Sequence, residues 1–459
     1  MVYRKNQQRM LLSIGSALGV VVVSFSGVAY ASDESLIQKG AYLARAADCA
    51  ACHTAPGGQP FAGGLALNTP VGTITSTNIT PSAGHGIGRY SEQDFARAVR
   101  EGVRGDGANL YPAMPYTEYS AITDQDIHAL YVYFHEGVQP VEITTPETKL
   151  SFPFNIRSSM AGWNLLFLSK ARFEPNSNHN AQWNRGHYLA DALEHCGTCH
   201  TPRNFLMAEK NSQKYGGSSL GAWFAPNITA SPDGIQSWSD ADLKAYLHTG
   251  HAAEINAQAA GEMLEAVDKS MSHLSDSDLD ALVTYIKSVD PVSSDHVNLP
   301  NSARVSVSDP LFESNTSDTS KMSGSALYQA YCASCHQDIG QGRDHNGLPS
   351  LLQNTVFHTR NTDNLVMTIL KGVHSERDNE QGMPAFGNSL SDAQIASMAN
   401  SLSAEFGDPG VKTTEQRVAE LRAGGRTSLL ALIAKIGIGL GVAAIVALFF
   451  VFLKHKKAS

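Results

Sequence analysis

All six cysteines of the chain fall into three copies of one pattern: CAACH at 49–53, CGTCH at 196–200 and CASCH at 332–336. On a helix, side chains at i and i+3 share a face and i+4 lies beside them, so Cys49, Cys52 and His53 present two thiols and an imidazole from a single turn. The same holds for Cys196, Cys199 and His200, and for Cys332, Cys335 and His336. Two thiols for the vinyl groups of a porphyrin and a nitrogen for its iron are what covalent haem attachment requires. A structural zinc needs four ligands, and each pattern offers three with no second cysteine pair nearby. Disulfides would use the cysteines but leave three histidines unexplained. Three covalently bound haem c groups are therefore the expected cofactors.

The patterns sit inside a larger repeat. GIGRYSEQDFARAVREG, 86–102, aligns with GIQSWSDADLKAYLHTG, 234–250, at a shift of 148 residues, and the first two cysteine patterns are 147 apart. A third, shorter copy contains TDNLVMTILKG, which ends at Gly372. Beyond each such glycine comes a methionine, then a capped amphipathic helix beginning at Thr123, Ser275 or Ser391. Each unit thus reads as an attachment helix, a loop, a middle helix, a methionine-bearing loop and a closing helix.

What a bound haem can do depends on its sixth ligand, because a methionine thioether closes the distal side and leaves an electron-transfer site. Position selects among the 11 methionines. Met114 lies 12 residues after Gly102, Met263 lies 13 after Gly250 and Met383 lies 11 after Gly372. Met114 and Met383 are each followed by proline, whereas Met263 competes with Met271, which sits close to the cap at Ser275. The expected axial pairs are His53 with Met114, His200 with Met263 and His336 with Met383. His248, His251 and His374 could instead serve a bis-histidine site or lie at helix ends, and Arg203 suits a haem propionate or solvent equally.

The ends of the chain read differently from its middle. Arg4, Lys5 and Arg9, an apolar run from Leu11 to Phe25 and Ala29-Tyr30-Ala31 form a secretory signal cut after Ala31. Its removal takes three of 34 basic residues and leaves 31 against 43 acidic ones, a balance of −12 that argues against nucleic acid as a partner. At the other end, 18 uncharged residues from Ile436 to Leu453 precede Lys454, Lys456 and Lys457, a pattern that predicts a membrane span with its C-terminus in the cytoplasm. The expected organisation is a signal at 1–31, haem units at 32–150, 178–290 and 324–407, a connecting arm at 151–177, a linker at 291–323, a tail at 408–427 and a transmembrane anchor at 428–453. The arm contains FPFNIRSSMAGWNLLFL, 152–168, which suits either packing between units or docking onto a partner.

NITPSAGHGIGRYSEQDFARAVREG, LYPAMPY, DIHALYVYF, CGTCHTPRN, APNIT and GMPAFG together resemble the tri-haem cytochrome c subunit of membrane-bound dehydrogenases, over roughly 33–409. The resemblance implies an all-α fold of three tandem class I cytochrome c-like domains, here with a C-terminal transmembrane helix. It implies a separate catalytic subunit, carrying FAD or PQQ, whose electrons this chain passes to membrane ubiquinone at the periplasmic side of the cytoplasmic membrane; a small third subunit is a possible further partner. The arm looks more like the gluconate 2-dehydrogenase type, with a flavoprotein partner, than the quinoprotein alcohol dehydrogenase type. A cytochrome subunit of a respiratory oxidase is the other membrane alternative. A multihaem peroxidase would need an open iron position, which three well-placed methionines oppose. No nucleotide-binding G-x-G-x-x-G precedes a helix, so dehydrogenase chemistry is expected in the partner.

Overall fold

The structure, a computed structural model, describes residues 33–293, 318, 321–343, 348–377, 382–425, 431–434, 436–441, 446 and 448. The expected signal at 1–31 and most of the linker at 291–323 lie outside the described residues.

In the first unit α1 (Asp33–Ala46) leads into α2 (Cys49–His53), followed by α3 (Glu92–Glu101), α4 (Tyr116–Tyr119) and α5 (Asp124–Val132). The arm contributes α6 (Ser159–Phe167). The second unit repeats the order with α7 (Ala181–Tyr188), α8 (Cys196–His200), α9 (Asp240–Thr249), α10 (Gly261–Lys269) and α11 (Asp276–Ile286). The third contains α12 (Gly324–Tyr331), α13 (Ala333–His336), α14 (Asp363–Lys371), α15 (Asp392–Phe406) and α16 (Glu415–Arg422). The described part of the expected tail, 408–425, thus supplies a helix that packs on α14 and α15.

Each unit is organised by one helix crossing: α1 on α5, α7 on α11, α12 on α15. A glycine stands at every crossing. A Cβ added to Gly40 would lie 2.1 Å from Ala129 O, one added to Gly186 1.9 Å from Ala281 O, and one added to Gly324 2.2 Å from Ser397 O. Only a residue without a side chain lets the backbones meet this closely. The crossing fixes the helix just upstream of each cysteine pattern, and so fixes where that pattern points. The closing helices start as their sequences require: Thr123 Oγ1 accepts from Asp126 N, Ser275 Oγ from Asp278 N and Ser391 Oγ from Gln394 N.

The first two units share one hydrophobic core, in which Leu43, Ile127 and Leu130 meet Leu189, Leu193, Leu279 and Leu282. A reciprocal exchange marks their contact. Tyr42 of α1 donates to Asp278 of α11, and Tyr188 of α7 donates to Asp126 of α5. Each aspartate also keeps a cation of its own unit, Lys39 for Asp126 and Arg185 for Asp278, both at 2.6 Å. The pair is arranged like a two-fold dimer within one chain. The third unit has its own core around Leu327, Val366, Ile395 and Met398. It is tied to the second by Asn364, whose amide oxygen accepts from Phe224 N at 2.9 Å and whose amide nitrogen donates to Phe224 O at 2.8 Å.

The structure corrects the expected fold class in two respects. It is not all-α: three small antiparallel sheets pair β1 (Ala66–Thr69), β2 (Gly72–Thr75) and β3 (Lys149–Leu150), then β4 (Ser218–Leu220) with β5 (Trp223–Ala225), and β6 (His251–Ala252) with β7 (Ala257–Gln258). Strands of two to four residues are too short to show a period-two pattern, and β3, at the end of the first unit, lies far from its partner in sequence. Nor is the transmembrane anchor at 428–453 found: among the described residues no helix is long and apolar enough to cross a membrane. Within that segment 431–434 and 436–441 are helical, while 428–430, 435, 442–445, 447 and 449–453 lie outside the described residues. The run is apolar but weak as a helix former: Gly437, Gly439 and Gly441 each cost a helix about 1 kcal/mol relative to alanine, so apolarity alone does not secure a long helix.

Candidate haem sites

The structure places the first two cysteine pairs and their histidines on short helical turns and the third with Cys332 capping the turn that carries Cys335 and His336, with no disulfide among the thiols. The turns at Cys49 and Cys196 are set by the preceding residues, Asp48 at φ 50° and His195 at φ 40°, which break α1 and α7 from the attachment turns. Asp48 and His195 occupy the same place in the repeat.

Each histidine is held by its far nitrogen. Nδ1 of His53 lies 2.6 Å from Thr77 O, Nδ1 of His200 lies 2.7 Å from Pro226 O, and Nδ1 of His336 lies 2.8 Å from Pro349 O. A carbonyl can only accept, so Nδ1 carries the proton and Nε2 keeps its lone pair. Burial holds all three rings below the usual imidazole range, in the neutral form that binds a metal. Burial likewise pushes the Cys49, Cys52 and Cys332 thiols up to about 12 and Cys199 to about 11, keeping them protonated. Among the described residues no group of three or more His, Cys, Asp or Glu side chains is placed to hold a bare metal ion. The donor set fits an iron that arrives inside a porphyrin: one nitrogen per unit, and two thiols for the ring.

The carbonyl partners are what the sequence reading missed, although a signal was present. Thr77 and Pro226 each precede an N-I-T triplet, 78–80 and 227–229. In both triplets the asparagine Oδ1 accepts from the threonine N, at 2.9 and 2.8 Å. Its Nδ2 donates to a carbonyl beyond the closing helix, Val141 O or Val292 O. The triplet therefore clips the histidine's acceptor to the far end of its own unit. In the third unit Pro349, in a different local sequence, does this work without a triplet.

The three methionines follow one device. Helices α3, α9 and α14 end at Gly102, Gly250 and Gly372, with φ of 62°, 78° and 72°, and the chain then turns through a short antiparallel pair. Met114 lies past the first turn, bracketed by Tyr111 O and Tyr116 N, and packs against the shared core. Met263 packs against that core too, but stands in the first turn of α10 and not in a loop, because GEMLEAVDK is a good helical sequence. Met271 is interior, 5% exposed. Met383 lies on its antiparallel pair, exchanging backbone bonds of 2.8 and 3.0 Å with Val373.

The first two attachment turns lie within electrostatic reach of one another. Helix α10 packs against α2, and beyond burial the Cys52 thiol is raised by Asp48, Glu265 and Cys199. Arg203 is engaged by protein groups: it donates to Thr198 O at 2.7 Å and pairs with Glu209 at 3.5 Å. His248 lends its carbonyl to Arg377, and His251 begins β6.

A family model described as "Cytochrome c" matches residues 37–136 and 184–290, and one described as "Cytochrome C oxidase, cbb3-type, subunit III" matches 319–400. The fructose dehydrogenase cytochrome subunit of Gluconobacter japonicus is 45% identical over 419 residues, covering 88% of this chain and 86% of that protein. The chain belongs to the family of dehydrogenase cytochrome c subunits. This cytochrome c subunit is also 37% identical to the gluconate 2-dehydrogenase cytochrome c subunit of Pantoea cypripedii, over 89% of this chain and 95% of that one. The cytochrome c subunit of the quinone alcohol dehydrogenase of Gluconobacter oxydans is 36% identical over 86% and 84%. As a cytochrome c subunit it binds haem c covalently and transfers electrons within a dehydrogenase complex.

Proposed function

We propose that this cytochrome c subunit carries three haem c groups and relays electrons from a flavoprotein dehydrogenase, acting on a sugar, sugar acid or polyol, to membrane ubiquinone on the periplasmic side of the cytoplasmic membrane. The observation that carries the reading is the threefold recurrence of one turn, two free thiols and a histidine whose Nδ1 is locked onto a backbone carbonyl. Haem c supplies reversible one-electron storage when bound. The chain's residues do the rest: Cys49 and Cys52, Cys196 and Cys199, and Cys332 and Cys335 anchor the ring. His53, His200 and His336 present Nε2 to the iron. Met114, Met263 and Met383 would supply the remaining iron ligands and keep small ligands out. The shared core of the first two units keeps their turns at a fixed separation, which electron transfer between them requires. The sugar class of the partner's substrate is supported by the fructose and gluconate enzymes among the relatives.

The test is to purify the chain from membranes with its neighbours, identify the prosthetic group of the catalytic subunit, and find the substrate that reduces all three haems. A flavin and a sugar-type substrate support the proposal. The similarity to quinone alcohol dehydrogenase subunits favours one second reading, a quinoprotein partner oxidising an alcohol, and PQQ in the purified complex would select it. Recovery with a haem–copper oxidase instead would overturn both.

A further inference from the structure

The loop that leads to the methionine is closed differently in the three units. In the first unit the acid is the loop's own: Arg104 and Asp106 pair within it, Asp106 also accepts from Ala108 N at 3.1 Å, and the arm adds Arg157, which donates to Asn109 O at 3.0 Å. In the second it is the β6–β7 hairpin. In the third the acid comes from another unit. Asp268, near the end of α10, is buried to 7% exposure. It accepts from Ser375 Oγ at 2.9 Å, Glu376 N at 2.8 Å and Arg377 Nε at 2.7 Å, all on the stretch between Gly372 and Met383. The Arg377 guanidinium also donates to His248 O and Thr249 O, the last carbonyls of α9, where a helix is most negative. Lys269 pairs with Glu376 beside it.

Helix α10 therefore touches all three units. Its first turn carries Met263, it packs against α2 of the first unit, and its last turn grips the methionine loop of the third. A buried carboxylate whose partners all lie on one loop of a neighbouring unit adds a hold on that loop beyond its own Val373–Met383 pair, since a charge removed from water holds its few donors tightly.

We propose that Asp268 is the positioning residue for the Met383 loop, so that the helix bearing the second unit's methionine also sets the distal side of the third haem. This rests on Met383 being that haem's ligand, and the experiment separates the two statements. In the full-length holoprotein, Met383→Ala identifies the third site as the haem that loses its methionine–iron charge-transfer band and binds carbon monoxide. Asp268→Asn is expected to raise carbon monoxide binding at that same haem roughly tenfold and to shift its reduction potential, a coupling of the size residues of this kind transmit. The other two haems keep their wild-type values. Ser375→Ala, a milder change, shifts the third haem in the same direction by less. Arg377→Ala reproduces Asp268→Asn, the double variant adds nothing to either, and Asp268→Glu restores most of the wild-type signature. The proposal is overturned if Asp268→Asn and Ser375→Ala leave the third haem's band, potential and carbon monoxide binding unchanged, or if all three haems change alike. A Met383→Ala protein with every haem still six-coordinate would remove the ligand assignment, and this proposal with it, whatever the Asp268 variants did.

Discussion

Tyr42 and Asp278, 236 positions apart, share a hydrogen bond of 2.6 Å, and Tyr188 and Asp126 repeat it at 2.7 Å. Each phenol also accepts a backbone N–H at the start of the opposite closing helix, from Ser275 or Thr123. Each unit thus completes the helix cap of the other, which binds the first two units into one body. Tyr42→Phe and Tyr188→Phe are each expected to destabilise the holoprotein by about 2 kcal/mol, the value of a bond to a charged acceptor. Denaturant titration with both single variants and the double checks this, and midpoints equal to wild type would refute it.

Acid sensitivity in the second unit follows from Asp191. Burial alone would raise its carboxyl, but His187, Lys214 and Tyr215 outweigh burial and bring it down to about 2. A depressed carboxyl stabilises the fold above its unfolded value of roughly 3.9 and loses that contribution as pH falls through its folded value. Between about pH 5 and about pH 1 the wild type is expected to lose about 2–3 kcal/mol from this one group. Asp191→Asn should already lack that increment at neutral pH and show a shallower acid limb. An unaltered acid limb in the variant would count against this account.

Met263 and Met271 are separable by substitution. Met263→Ala is expected to leave the fold largely intact and to turn one haem high-spin in optical spectra. Met271→Ala, which empties a core position, is expected to cost about 2–5 kcal/mol with all haems still low-spin. The opposite pattern would move the ligand to Met271.

The haem count has a direct measure. Mass spectrometry of the intact chain is expected to give three haem additions, and the joint change Cys332→Ser with Cys335→Ser exactly one fewer. Fewer than three additions to the wild type would end the tri-haem reading.

Asn364 is one of several ties between the second and third units, beside Asn256, which donates to Ser350 O and Leu352 O, and Asp268. Asn364→Ala removes both bonds to Phe224, and a loss of about 1–3 kcal/mol at that contact is expected to appear as a separate, earlier thermal transition of the third unit. A single transition at the wild-type temperature would show that the tie lies elsewhere.

The local chemistry of this protein was legible in its residue order. Two cysteines and a histidine on one turn, the glycine that ends each middle helix, and Thr123, Ser275 and Ser391 at the helix starts all act over a few residues, so spacing alone reveals them. The remaining features arise from contacts made in the folded chain. The carbonyls of Thr77, Pro226 and Pro349 that orient the histidines come from loops 13 to 26 residues away. The strand at Lys149–Leu150, the Tyr42–Asp278 exchange and the grip of Asp268 on the Met383 loop join segments far apart in the chain. Such contacts depend on where helices cross and on which polar group is left to be satisfied once a surface is buried, and no local pattern encodes either.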